Sequence, residues 1–121
     1  MANPNVLNAS SIYTSTTYLI PTGTSATTWT GLTPSTNSIT KVDSIAATNV
    51  TATAATITLS INSAIGGGGT AYRLAYQMSV PAGSSLDLIS KTIYLNEGDA
   101  LQISASTNSY LEAVVRYEEI R

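Results

Sequence analysis

The chain has 121 residues and a mass of 12.6 kDa, is 43% hydrophobic and only 10% charged, and carries a formal net charge of −2 with a pI near 4.7. That composition lies far from the charged, weakly hydrophobic regime of disordered chains, and the length suits one domain around one core. The five basic residues are scattered, which argues against nucleic-acid binding, and the absence of histidine and cysteine excludes disulfides, thiolate metal sites and Ser-His or Cys-His nucleophilic pairs.

In chain order, residues 1 to 10 are expected to form an extended arm preceding a domain over residues 11 to 121. Met1 to Asn5 has no basic segment followed by an apolar run and does not read as a secretory signal. No segment approaches the roughly 18 apolar residues of a spanning helix. Strands are expected at Ser11 to Ile20, Thr27 to Thr30 and Ser38 to Ala47. The single tryptophan, Trp29, lies among small polar residues, and its ordinary role would be core anchoring, with an interface or glycan-stacking role as the alternative.

Thr56 to Ile61 alternates, placing Ile57, Leu59 and Ile61 inward. After a hairpin loop that contains Gly66 to Gly69, the run Ala71 to Val80 alternates again. Its pattern predicts Tyr72, Leu74, Tyr76, Met78 and Val80 on the core face, so Leu74→Asp is expected to prevent folding. Further strands are expected at Leu86 to Ile89 and Ile93 to Leu95. Leu101 to Ala105 and Leu111 to Tyr117 read as a second hairpin, with Leu111, Ala113, Val115 and Tyr117 facing in and Val114 left outside. The tyrosines are expected mostly on inward faces.

Proline and glycine punctuate these runs at Pro21 to Gly23, Thr33 to Ser35 and Pro81 to Gly83. About eight short strands without helical periodicity predict an all-β, single-domain β-sandwich or jelly roll of antiparallel strands. About three residues in ten are Ser or Thr, so the surface should be neutral and hydroxyl-bearing, a surface that offers little repulsion between copies.

Little catalytic chemistry remains. Glu97 and Asp99 could form an acid pair or hold Ca²⁺, but Asn96-Glu97-Gly98-Asp99 ahead of an alternating strand reads as a turn. The glycine run lacks the lysine and helix of a phosphate loop. Asn8-Ala9-Ser10 and Asn49-Val50-Thr51 match the glycosylation tripeptide, a pattern frequent by chance. No enzyme activity, cofactor or metal is expected.

Three motifs carry a family resemblance: Val80-Pro81-Ala82-Gly83-Ser84-Ser85-Leu86, then Ile93-Tyr94-Leu95-Asn96-Glu97-Gly98-Asp99-Ala100-Leu101, then Val114-Val115-Arg116-Tyr117-Glu118-Glu119-Ile120. Together with Lys41-Val42-Asp43-Ser44-Ile45 they make residues 41 to 121 resemble the small virion structural proteins of tailed bacteriophages, notably cyanobacterial phages. The resemblance implies a multi-copy particle component found in the virion and, during assembly, in the host cytoplasm. It would decorate or cement the head shell, or belong to a neck, tail or fibre ring. The partners expected are further copies of the chain, as a homotrimer, and the major capsid protein or another virion protein, with no nucleic acid and no membrane. Asn3, Pro4, Asn5, Val6, Leu7 and Trp29 are the expected contact residues. A carbohydrate-binding β-sandwich using Trp29 and the tyrosines is the alternative from a different class.

Overall fold

The computed structural model describes residues 9–29, 32–63, 69–107 and 109–121. Among the described residues nine strands follow in order: β1 (Ile12–Leu19), β2 (Thr27–Thr28), β3 (Ile39–Asn49), β4 (Ala55–Asn62), β5 (Ala71–Val80), β6 (Ser85–Asp87), β7 (Ile93–Leu95), β8 (Ala100–Ala105) and β9 (Leu111–Ile120). Among the described residues there is no helix, in keeping with a chain whose apolar residues recur with a period of two.

The strands form two antiparallel sheets packed as a sandwich, as the alternation and turn spacing predict. The first sheet runs β1-β9-β3, with β6 and β7 both pairing along β3, and the second runs β2-β8-β4-β5. Between them lies one core containing Trp29, Leu32, Val42, Ile45, Ile57, Leu59, Val80, Leu95, Leu101, Ile103, Leu111 and Val115. The alternation of β9 is read correctly, with Leu111, Ala113 and Val115 buried and Val114 exposed.

Two expectations are corrected. β8 and β9 are not a hairpin: β8 sits between β2 and β4, β9 sits between β1 and β3, and the connection crosses from one sheet to the other. That crossing is held by backbone bonds from Ser106 to Thr56 (3.0 Å), Ser109 to Pro21 (3.2 Å) and Val50 to Tyr110 (3.2 Å). Alternation fixes which residues share a face, but leaves open which strand lies beside them.

The second correction concerns β5. Its register against β4 runs Ile57↔Met78, then Leu59↔Ala75, then Ser60↔Arg73, so it slips twice within a few residues. Each slip is a bulge that sets two residues of β5 against one of β4. Gln77, at φ 47°, takes the left-handed backbone of the first. Consequently Ala75 rather than Leu74 is buried against Leu59, while Tyr72, Leu74 and Tyr76 are 63%, 38% and 61% exposed.

Candidate assembly surface

Asn49 at the end of β3 fixes one end of the sandwich. Its side chain is 1% exposed, and Nδ2 donates to the carbonyls of Thr53 (2.8 Å) and Val80 (3.0 Å). Oδ1 accepts from the Thr51 amide (2.9 Å) and hydroxyl (2.8 Å), an Asx-turn that closes the β3–β4 connection. The glycosylation tripeptide at Asn49 is thus a buried structural joint. Asn8, the other candidate, lies outside the described residues.

At the opposite end, Asn96 to Asp99 is the turn its sequence predicts. Gly98 has φ 85°, the Asp99 amide donates to the Asn96 carbonyl (3.0 Å), and the Asp99 carboxylate accepts from the Asn96 amide (2.9 Å). The Glu97 carboxylate accepts from the Asn37 amide (3.2 Å), and the Gly98 amide donates to the Pro34 carbonyl (3.3 Å). The Asp99 carboxylate closes its own turn and the Glu97 carboxylate ties it to the turn at Asn37, and among the described residues no group of three acidic, His or Cys side chains could hold a metal ion.

The proposed contact residues Asn3 to Leu7 lie outside the described residues, as do most of the four-glycine run. Trp29 is 1% exposed and packs in the core, with its amide donating to the Leu101 carbonyl (2.7 Å). It is therefore an anchor, and its ring is not on the surface offered for partner contact or glycan stacking. The indole Nε1 has no hydrogen-bond partner among the described residues.

The surface belongs instead to the tyrosines, in contrast to their expected inward placement. Tyr13, Tyr18, Tyr72, Tyr76 and Tyr94 are all exposed, at 51% or more, alongside Ile12, Ile20 and Val50. A buried tyrosine needs a partner for its hydroxyl, whereas at a surface it supplies a wide apolar face with a polar tip. Tyr13 and Tyr18 stand on β1, which contains no charged residue, and Tyr72 and Tyr76 stand on β5. The signal for this surface was the run of Ile, Tyr and Thr at residues 12 to 18, too polar on both faces for a core strand.

Charges are few, and among the described residues five of them form ion pairs. Lys41 lies 3.4 Å from Glu118 and 3.7 Å from Asp43, and its pKa is raised by the hydrogen bond and charge of Glu118 and then by Asp43. Arg121 pairs with Glu119 (3.8 Å) and sits 5.1 Å from the Tyr13 ring centroid.

The outer face of the second sheet carries an open groove of about 280 Å³ lined by Thr24, Thr58, Ser60, Gln102 and Ser104, with Arg73 and Tyr76 at its rim. Tyr76 reaches it because the bulge turns this residue outward, and the Arg73 guanidinium lies 5.4 Å from its ring centroid. Gln102, 8% exposed, forms part of the floor, donating to the Thr28 hydroxyl (3.2 Å). Hydroxyl and amide groups of the lining are interspersed with the apolar side chains of Ala26, Ala71 and Ile103.

A scan against protein-family profiles finds no match, and a search of curated proteins likewise finds none. Among solved structures, the chain is similar to a chain of the T13 particle of infectious bursal disease virus (IBDV), at TM-score 0.54 and 11% identity, over 91% of this chain and 30% of that one. It is similar in the same way to a chain of infectious bursal disease virus strain Gx, at TM-score 0.51 and 14% identity, over 91% and 32%. A chain of the disulfide-linked pili of Bacillus endospore appendages follows at TM-score 0.48 and 16% identity, over 90% and 87%. The protein spans about a third of the length of the viral chains it matches, and what it shares with them is the all-β sandwich fold.

Proposed function

We propose that the protein is a non-enzymatic structural subunit of a virus particle, a tailed bacteriophage, in which it decorates or cements the head shell by burying surface against its neighbours. The observation that carries this reading is the surface: five exposed tyrosines on a sandwich in which only 10% of the residues are charged. A protein that diffuses alone gains solubility from charge, whereas one that lives in an assembly gains more from wide, low-entropy aromatic contacts. The resemblance of residues 41 to 121 to small phage virion proteins supports the reading, and the likeness to part of an IBDV chain supplies a fold compatible with it. A trimer over junctions between major capsid proteins is the arrangement proposed, since repetition over a shell turns modest contacts into avidity.

Quantitative mass spectrometry of purified particles tests this. A copy number comparable with that of the major capsid protein is the expected result. A ring-sized copy number would move the protein to the neck, tail or a fibre, and its absence from particles would overturn the reading.

The groove favours a second reading, carbohydrate binding, because hydroxyl and amide linings beside an aromatic ring suit sugar hydroxyls and their apolar faces. Tyr76, not Trp29, would be the stacking residue. On a glycan array, binding that Tyr76→Ala abolishes is the outcome this reading expects, and failure of the unaltered protein to bind any glycan would discard it.

A further inference from the structure

We infer that the free edge of β1 is a self-pairing interface, through which two copies of the chain join their first sheets into one continuous antiparallel sheet. The inference rests on the assembly reading above and names the edge and the partner.

The hydrogen-bonding phase of β1 is fixed at its start. Ser11 and Arg121 exchange both backbone bonds, Ser11 N to Arg121 O at 2.8 Å and Arg121 N to Ser11 O at 3.0 Å. In an antiparallel ladder such pairs alternate with pairs whose amides and carbonyls point away from each other. The register is unbroken from Ile12↔Ile120 to Leu19↔Ala113. Tyr13, Ser15, Thr17 and Leu19 therefore bond to β9, while Ile12, Thr14, Thr16 and Tyr18 aim their N–H and C=O groups at the open edge. Among the described residues no strand takes them.

Soluble proteins blunt such edges with charge, proline, bulges or brevity. The other edges are blunted. β5 is bulged twice and carries Arg73, β2 has two residues, and β6 and β7 have three each. β1 has eight residues, no charge, no proline and no bulge.

A second copy fits this edge because β1 is complementary to itself. With Ser15 on a twofold axis, the outward-bonding residues pair as Ile12 with Tyr18 of the other copy and Thr14 with Thr16, so every free amide and carbonyl finds a partner. Ile12 and Tyr18 are 60% and 72% exposed, and this register lays one against the other at both ends of the ladder, with threonines between. Neutrality removes the like-charge repulsion that would oppose pairing of identical strands. The pairing is twofold, so it joins copies in twos, whether single chains or trimers.

The chain has no cysteine, so single-cysteine variants read the register directly. Ser15 would oppose Ser15 in a non-hydrogen-bonded pair, with Cα atoms about 4.5 Å apart and within disulfide reach. Tyr13 would lie roughly 13 Å from its own counterpart. Under mild oxidation Ser15→Cys should form a covalent dimer and Tyr13→Cys should not. Thr16→Pro removes an amide that β9 does not use, and Thr16→Lys places a charge at the edge. Both should halve the mass seen by native mass spectrometry while leaving the melting temperature of the subunit unchanged. If the proline variant fails to fold, the lysine variant and the disulfides decide.

An oligomer that keeps its mass in Thr16→Lys, with no disulfide from Ser15→Cys, overturns the edge and leaves assembly by another surface standing. An unaltered protein that stays monomeric at high concentration and gives no Ser15→Cys dimer overturns the edge and, with it, autonomous assembly. Incorporation into particles is measured separately and can hold in either case.

Discussion

Leu59→Asp should abolish folding, and Leu74→Asp, fifteen positions along on the neighbouring strand, should not. Leu59 is 0% exposed at the centre of the core. Losing its burial costs about 2 to 3 kcal/mol, and placing a carboxylate there without a partner costs several more. The sum approaches the whole stability of a small domain, about 5 to 15 kcal/mol. Leu74 is 38% exposed in a shallow notch beside Leu88, Ile89 and Ile93, where an aspartate stays in contact with water. A loss of about 1 kcal/mol is expected there. Soluble yield and urea unfolding of the two variants check this, and an insoluble Leu74→Asp would show that β5 lacks its bulges.

Asn49→Ala comes second in effect, at about 3 kcal/mol, or on the order of 10 °C in Tm for a domain of this size. The amide side chain serves four hydrogen bonds at once, to Thr53, Val80 and twice to Thr51. Alanine removes all four and leaves the buried carbonyl of Val80 without this donor. Asn49→Asp should be no milder, because a carboxylate keeps the bonds from Thr51 but sets a negative charge against the carbonyls of Thr53 and Val80. Thermal unfolding of both variants against the parent measures the loss. A change within a degree or two would mean that water replaces the side chain easily.

The parts of the fold legible in the sequence were those where one face of a strand meets the core and the other meets water. β9 is the clearest case, since Leu111, Ala113 and Val115 are buried and Glu112, Val114 and Arg116 are not. The Asn96 to Asp99 turn was legible because glycine at positive φ and an aspartate reaching back to the backbone leave a local signature. β5 was not. A bulge is one extra residue in the ladder, and neither Gln77 nor Leu74 announces it, so an alternation that looked continuous is broken where it matters. The β8 to β9 crossing was hidden for another reason: a short polar connection suits a hairpin and a passage between sheets equally well.

The candidate surface was harder still. Tyrosine is at home in a core and at an interface, and only the neighbours on adjacent strands decide between them. Trp29 shows the same ambiguity resolved the opposite way, drawn inward by Leu32 and Leu101, which a sequence window around residue 29 does not contain in full.

The placement of β9 between β1 and β3 also constrains how the molecule is made. The first sheet has the strand between β1 and β3 at residues 111–120, so β1 and β3 leave the ribosome with no common partner and wait until β9 has been made. Until then Ile39, Val42 and Ile45 lack the neighbouring strand β9, and the closing step must bring together segments about a hundred residues apart, an entropically slow event. The nascent chain is thus an open sheet awaiting its spine, exposed to strand exchange with its neighbours on the same polysome. A stop codon shortly before residue 111 would remove far more than one strand, because it would leave β1 and β3 with nothing to join them.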